Sequence, residues 1–69
     1  MLKLERLRRE RGWSQAKLSR QSSLNQATVC QIERGHFIPY PAQLAKLAEA
    51  LDVHPSRAAE LMEVIEEDA

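Results

Sequence analysis

Residues 13–35 read WSQAKLSRQSSLNQATVCQIERG, and the spacing inside this run decides the fold. Ser14 is a good helix N-cap, with Trp13 before it and Leu18 at the fourth helical position, the arrangement of a hydrophobic staple. Eleven residues further on the grammar recurs: Leu24 precedes the N-cap Asn25 and Val29 takes the fourth position. Between the two caps there is room for about two turns of helix and then a tight connection at Ser22, Ser23 and Leu24. Gly35, the residue that most cheaply adopts the left-handed backbone, closes the second helix. Two short helices joined in this way are the sequence footprint of a helix-turn-helix, here over about residues 14–34.

Working outward, a helix is expected from about Leu2 to Arg11, closed by Gly12 and carrying an apolar stripe at Leu4 and Leu7. After a loop from His36 to Tyr40 that contains Pro39, Pro41 opens a fourth helix at its first position. There Leu44, Leu47, Ala48 and Leu51 recur at helical steps, so one face is buried. A fifth, acidic helix is expected over about residues 55–67, with Ala58, Leu61, Met62 and Ile65 on one face. Glu60, Glu63, Glu66 and Glu67 lie elsewhere on this helix, and its acidic last turn opposes the helix dipole and predicts fraying. The expected architecture is all-α, one compact five-helix domain over residues 1–69 whose second and third helices form the helix-turn-helix.

Composition supports this. Only 4% of the 69 residues are aromatic while 43% are hydrophobic, which favours packed helices over a β-sandwich. The single cysteine, Cys30, cannot form an internal disulfide, and the N-terminus, broken by Lys3, Glu5, Arg6, Arg8 and Arg9, offers neither a signal-peptide core nor a membrane span. A cytoplasmic chain without a membrane partner is expected. Net charge is zero, yet it is segregated: eight bases against three acids through Arg34 give +5, and two bases against seven acids from Gly35 onward give −5. Such asymmetry points to a nucleic-acid face and an acidic tail, although helical proteins also segregate charge by chance.

One more step along the first stripe from Leu4 and Leu7 reaches Arg8, a charge where an apolar residue belongs. The third helix carries the complementary anomaly, since Val29 and Ile32 define its buried face and Glu33 follows on it. An unpartnered buried charge is very costly, so Arg8 and Glu33 are expected to form a structural ion pair tying the two helices together. The alternative is two unrelated boundary side chains that reach water separately.

From Ser14 through Leu51 the chain resembles the Cro and phage-repressor type of helix-turn-helix protein, the Xre family. The matching residues are Ser14-Gln15, Leu24, the run Ile32-Glu33-Arg34-Gly35, Pro39, and Leu44, Leu47-Ala48 and Ala50-Leu51. In such proteins an arginine of the first helix pairs with the glutamate of that run, which falls here on Arg8 and Glu33. Two positions depart from the pattern: Ser19 stands for a small alanine in the second helix and Ser23 for a glycine in the turn. A serine held left-handed costs about 1 kcal/mol or more relative to glycine.

The resemblance implies a repressor-like regulator of transcription whose third helix lies in the major groove of double-stranded DNA while the second crosses the backbone. It places base contacts at Gln26, Ala27 and Gln31 and a phosphate contact at Gln15. Thr28 joins the base-facing set because its methyl, like Ala27, suits a thymine methyl, and a glutamine amide matches N6 and N7 of adenine bidentately. The glutamines are otherwise ordinary solvated helix residues. Phosphate anchoring is expected from Arg8, Asn25, Arg34 and His36. One small domain reads few base pairs, so a homodimer on a palindromic operator is expected, joined through Leu61, Met62 and Ile65 unless these cap the core of a monomer.

Two rival classes weigh less. An enzyme built on Cys30 with His36 or His54 lacks a Gly-rich loop, metal-ligand spacing or a carboxylate pair, so no catalytic residue, metal or cofactor is expected. Cys30 reads as an exposed small residue that could be redox-sensitive. The same fold could instead bind a protein partner, as an antitoxin binds its toxin, with the apolar stripe of the acidic last helix as the surface.

Overall fold

The computed structural model describes residues 1–66. Four α-helices, α1 (Lys3–Glu10), α2 (Gln15–Ser22), α3 (Gln26–Glu33) and α4 (Pro41–Ala50), are followed by a 3₁₀ helix, Pro55–Met62. The starts follow the expected chemistry. The Ser14 hydroxyl accepts from the amide of Lys17 at 3.0 Å and the Asn25 carbonyl from that of Ala27 at 2.7 Å. At α4 the Gln43 side chain accepts from the amide of Tyr40. Each of these satisfies an amide that the helix itself leaves without a partner.

All four α-helices also end alike. Gly12, Ser23, Gly35 and Asp52 have φ of 72°, 60°, 77° and 57°. The amide of the next residue in each case reaches back five positions, Trp13 to Arg8, Leu24 to Ser19, His36 to Gln31 and Val53 to Ala48, which is the Schellman closure. Ser23 thus takes the left-handed conformation that the resemblance assigns to a glycine, and the helix-turn-helix geometry is kept at a cost in backbone strain. Ser19 is buried and returns its hydroxyl to the carbonyl of Ala16 at 2.7 Å, so it fills the place of an alanine without an unsatisfied group.

The core gathers Leu4 from α1, Leu18 from α2, Val29 and Ile32 from α3, Leu47 and Ala48 from α4 and Leu61 from the 3₁₀ helix, all shielded from solvent. Trp13, Leu24, Leu7 and Leu44 pack against it half-buried, so both staple residues contribute.

The fifth segment corrects the expected helix over 55–67. It is 3₁₀ rather than α, and it ends at Met62. Three residues per turn eclipse positions i and i+3, which aligns Ala58 with Leu61 on the inward side and Arg57 with Glu60 on the outer one, where they pair at 2.9 and 3.1 Å. The acidic end does not continue as helix. Glu63 turns extended, and Leu2 and Val64 form an antiparallel bridge. Lys3 donates its amide to the carbonyl of Glu63 at 2.8 Å, Ile65 donates to Met1 at 2.8 Å, and the N-terminal ammonium reaches the carbonyl of Ile65 at 3.0 Å. This short ribbon supplies a first-turn acceptor for α1, which has no side-chain cap of its own. Glu67, the last residue of the expected helix, lies outside the described residues.

Leu61 is therefore a core residue, shielded from solvent between α1 and α4, and not a surface side chain available to a second copy. Met62 packs half-buried on the same core and Ile65 is half-buried in the ribbon.

Candidate nucleic-acid interface

With Val29, Ile32 and Glu33 buried, α3 turns Gln26, Ala27 and Gln31 to solvent, with Thr28 and Cys30 half-buried at the margins. Asn25 at the start, Arg34 at the end and His36 just beyond are exposed on the same element. Ala27, Thr28 and Gln31 line one shallow hollow together with His36 and Phe37 of the following loop. The helix therefore presents its amide and small apolar side chains as one strip, backed by the core.

The charged anomalies meet under this strip. Arg8 donates from Nε to Oε2 of Glu33 at 2.7 Å and from Nη2 to Oε1 at 3.0 Å, a bidentate pair with side chains 9% and 1% exposed. Nη1 donates to the carbonyl of Trp13 at 2.7 Å. The bond to Glu33 holds the guanidinium pKa above its ordinary value against the opposing pull of burial. Gln15 completes the cluster, donating from Nε2 to Oε1 of Glu33 at 3.0 Å. One contact thus joins α1, the loop before α2, α2 and α3. The assignment of Arg8 to phosphate is corrected by this geometry, because its fork is engaged internally and the residue is buried.

The remaining bases sort by partner. Lys3 pairs with Glu60, Arg9 with Glu5, and Arg11 with the carbonyl of Leu51 and the carboxylate of Asp52 while stacking 5.3 Å over the Trp13 ring. Arg6 donates to the carbonyl of Glu66. Of the eight bases in the first half, Lys17, Arg20 and Arg34 have no ion-pair partner among the described residues, and all three lie on α2 or at the end of α3. Sequence reasoning named Arg34 but passed over Lys17 and Arg20. Their signal was the position of both on the polar side of α2, away from the buried Leu18, Ser19 and Ser22.

Asn25 uses its carbonyl oxygen as the cap of α3, which leaves its amide nitrogen outward. Cys30 is a free, half-buried thiol, and among the described residues no group of three or more His, Cys, Asp or Glu side chains could hold a metal. No helix among them is long and apolar enough to cross a membrane.

Comparison with known proteins agrees with this arrangement. A helix-turn-helix family model matches residues 4–57. The chain is 40% identical over 50 residues, 72% of its length and 28% of the relative's, to the HTH-type transcriptional regulator SutR of Escherichia coli K12. It superimposes with a TM-score of 0.74 and 34% identity on the crystal structure of an HTH_3 family transcriptional regulator from Vibrio cholerae, covering 81% of this chain and 32% of that one. The chain thus spans about a third or less of the length of these two proteins.

Proposed function

This chain belongs to the helix-turn-helix family of the Cro and phage-repressor type, and from that premise we propose that it binds double-stranded DNA in the major groove to regulate transcription. The observation that carries the reading is the coincidence on α2 and α3 of two independent features. One is a strip of solvent-facing Gln26, Ala27 and Gln31 with half-buried Thr28 at its margin. The other is the set of bases left without carboxylates, Lys17, Arg20 and Arg34. Base edges are read by the first set, and phosphates are met by the second, together with the Asn25 and Gln15 amides and His36. Gln15 Nε2 carries two hydrogens, one given to Glu33 and the other open to a phosphate.

The domain acts as a repressor by occupying a palindromic operator as a homodimer, two copies presenting α3 one helical turn apart. Since Leu61 lies inside the protomer, the large apolar side chains open to a second copy among the described residues are Ile38 and Tyr40 in the loop after α3 and Val64 in the ribbon. The same burial takes Leu61 out of the stripe that a toxin-like protein partner would have used, and leaves Met62 and Ile65 half-buried.

Selection from a randomised duplex library at two salt concentrations tests the reading. The expected result is a symmetric site whose affinity falls with salt. Gln31→Ala should cost about 1 to 3 kcal/mol on the selected site and change its base preference, whereas Arg34→Ala should weaken all sequences alike and lower the salt slope by about one. Recovery of random sequence with every variant would refute sequence-specific binding.

A further inference from the structure

Gln31 and His36 are joined twice. The Schellman closure at Gly35 brings the amide of His36 to the carbonyl of Gln31 at 2.9 Å, and the His36 ring returns to the same residue, Nδ1 lying 3.2 Å from Oε1 of the Gln31 side chain. In this motif the two positions usually make an apolar contact. Here the contact is polar, exposed, and set in the hollow that Ala27, Thr28 and Phe37 also line.

The direction of that bond matters for what Gln31 has left to offer. Oε1 can only accept, so Nδ1 must carry a proton and donate, whether the ring is neutral or doubly protonated; the doubly protonated ring keeps Nε2–H for a phosphate. A glutamine with both ends free matches adenine, accepting from N6 and donating to N7. With Oε1 held by His36, an N6 amino group would have to share that oxygen, whereas Nε2 still carries two free N–H groups. An amide whose oxygen is already engaged presents chiefly its two N–H donors, which are complementary to N7 and O6 of guanine or to O4 of thymine.

Resting on the DNA-binding reading above, we propose that His36 is a specificity-determining residue, which orients the Gln31 amide so that it reads an acceptor edge, guanine or thymine, in place of adenine. Nothing in the sequence spacing alone shows this, because the two side chains meet only after the chain reverses at Gly35.

Library selection with three proteins tests it. Gln31→Ala identifies the base position that Gln31 reads, as the one whose preference collapses. At that position the wild type should select guanine or thymine, and His36→Phe, which keeps a ring but lacks the donor, should shift selection toward adenine by about tenfold, within the span of one bidentate contact. A uniform loss of affinity in His36→Phe through a lost phosphate contact leaves this ratio untouched. Adenine already favoured by the wild type, an unchanged ratio in His36→Phe, or no position that depends on Gln31 would each overturn the inference. A wild type that selects no sequence at all would instead overturn the DNA-binding reading on which it rests.

Discussion

Replacing Arg8 and Glu33 singly and together tests how α1 is fastened to the helix-turn-helix. Arg8→Met leaves a carboxylate 1% exposed with Gln15 as its remaining side-chain donor, and Glu33→Leu leaves a guanidinium 9% exposed with the Trp13 carbonyl. Removing one member of a buried pair costs about 3–5 kcal/mol because the other charge is stranded, while replacing both by apolar residues is often neutral or stabilising. The double variant should still lose the bonds at Trp13 and Gln15, about 1 kcal/mol each. It should therefore lie within about 2 kcal/mol of the wild type, several kcal/mol better than the sum of the singles. At roughly 0.05–0.15 kcal/mol per residue, a 69-residue domain has about 3–10 kcal/mol in all, so either single variant approaches global unfolding while the double folds. Urea titration without DNA, followed by circular dichroism and by fluorescence of the sole tryptophan, Trp13, measures each state. Glu33→Gln, which keeps shape and one acceptor, supplies a milder single within range if Glu33→Leu is unfolded. A double variant that loses the sum of the singles would refute the pairing argument, as would singles that lose less than about 1 kcal/mol.

Further expectations concern the backbone, the core and pH. Ser23→Gly should relieve the left-handed strain at φ 60° and stabilise the domain by about 0.5–1 kcal/mol, a rise of several degrees in Tm for a chain of this size. A fall in Tm would mean that the Ser23 side chain contributes more than its backbone costs. Leu61→Ala should destabilise the fold by about 2–5 kcal/mol irrespective of protein concentration, as a core truncation does and an interface truncation does not; urea midpoints at widely separated concentrations distinguish them. The Glu60 carboxyl is held down at about 2, by Arg57 first and Lys3 second. Because the folded value lies below the ordinary carboxylate value of about 4.3, this contribution is complete above that range and lost as pH falls through it toward 2. Glu60→Gln should flatten that part of the pH–Tm curve, more visibly at low salt than at high, and identical curves for both proteins would remove the pairing from the account.

Much of the helix-turn-helix was legible because its signals are local. A cap, a staple and a left-handed stop are each contained in about six residues, and the resemblance flagged Ser23 as a departure. Asp52 was not foreseen in its matching role, since Leu-Asp-Val does not announce a left-handed residue although aspartate tolerates one. The fifth segment was misread for two reasons. Over eight residues, an inward pair spaced like Ala58 and Leu61 fits three residues per turn as well as 3.6. The ribbon that ends the segment joins Met1 and Lys3 to residues sixty or more positions away, which no local pattern encodes. His36 and Gln31 are only five apart, yet their side-chain bond depends on the reversal at Gly35, so each read as an independent DNA contact.

Charge was the least transparent property, and its resolution bears on how a neutral chain can bind a polyanion. Counting residues divides the chain into a basic half and an acidic half, as if two surfaces of opposite sign existed. The structure instead folds the acidic half back on the first helix and its flank: Glu60 pairs with Lys3 and Asp52 with Arg11, while Arg6 donates to the backbone carbonyl of Glu66. Arg8 is neutralised internally by Glu33. The pairings fall on α1 and its flank, so neutralisation spares Lys17, Arg20 and Arg34. A zero total is therefore compatible with a positive local field where α2 and α3 would approach phosphates, because within a Debye length of about 8–10 Å the nearby charges, not the sum over the chain, govern attraction.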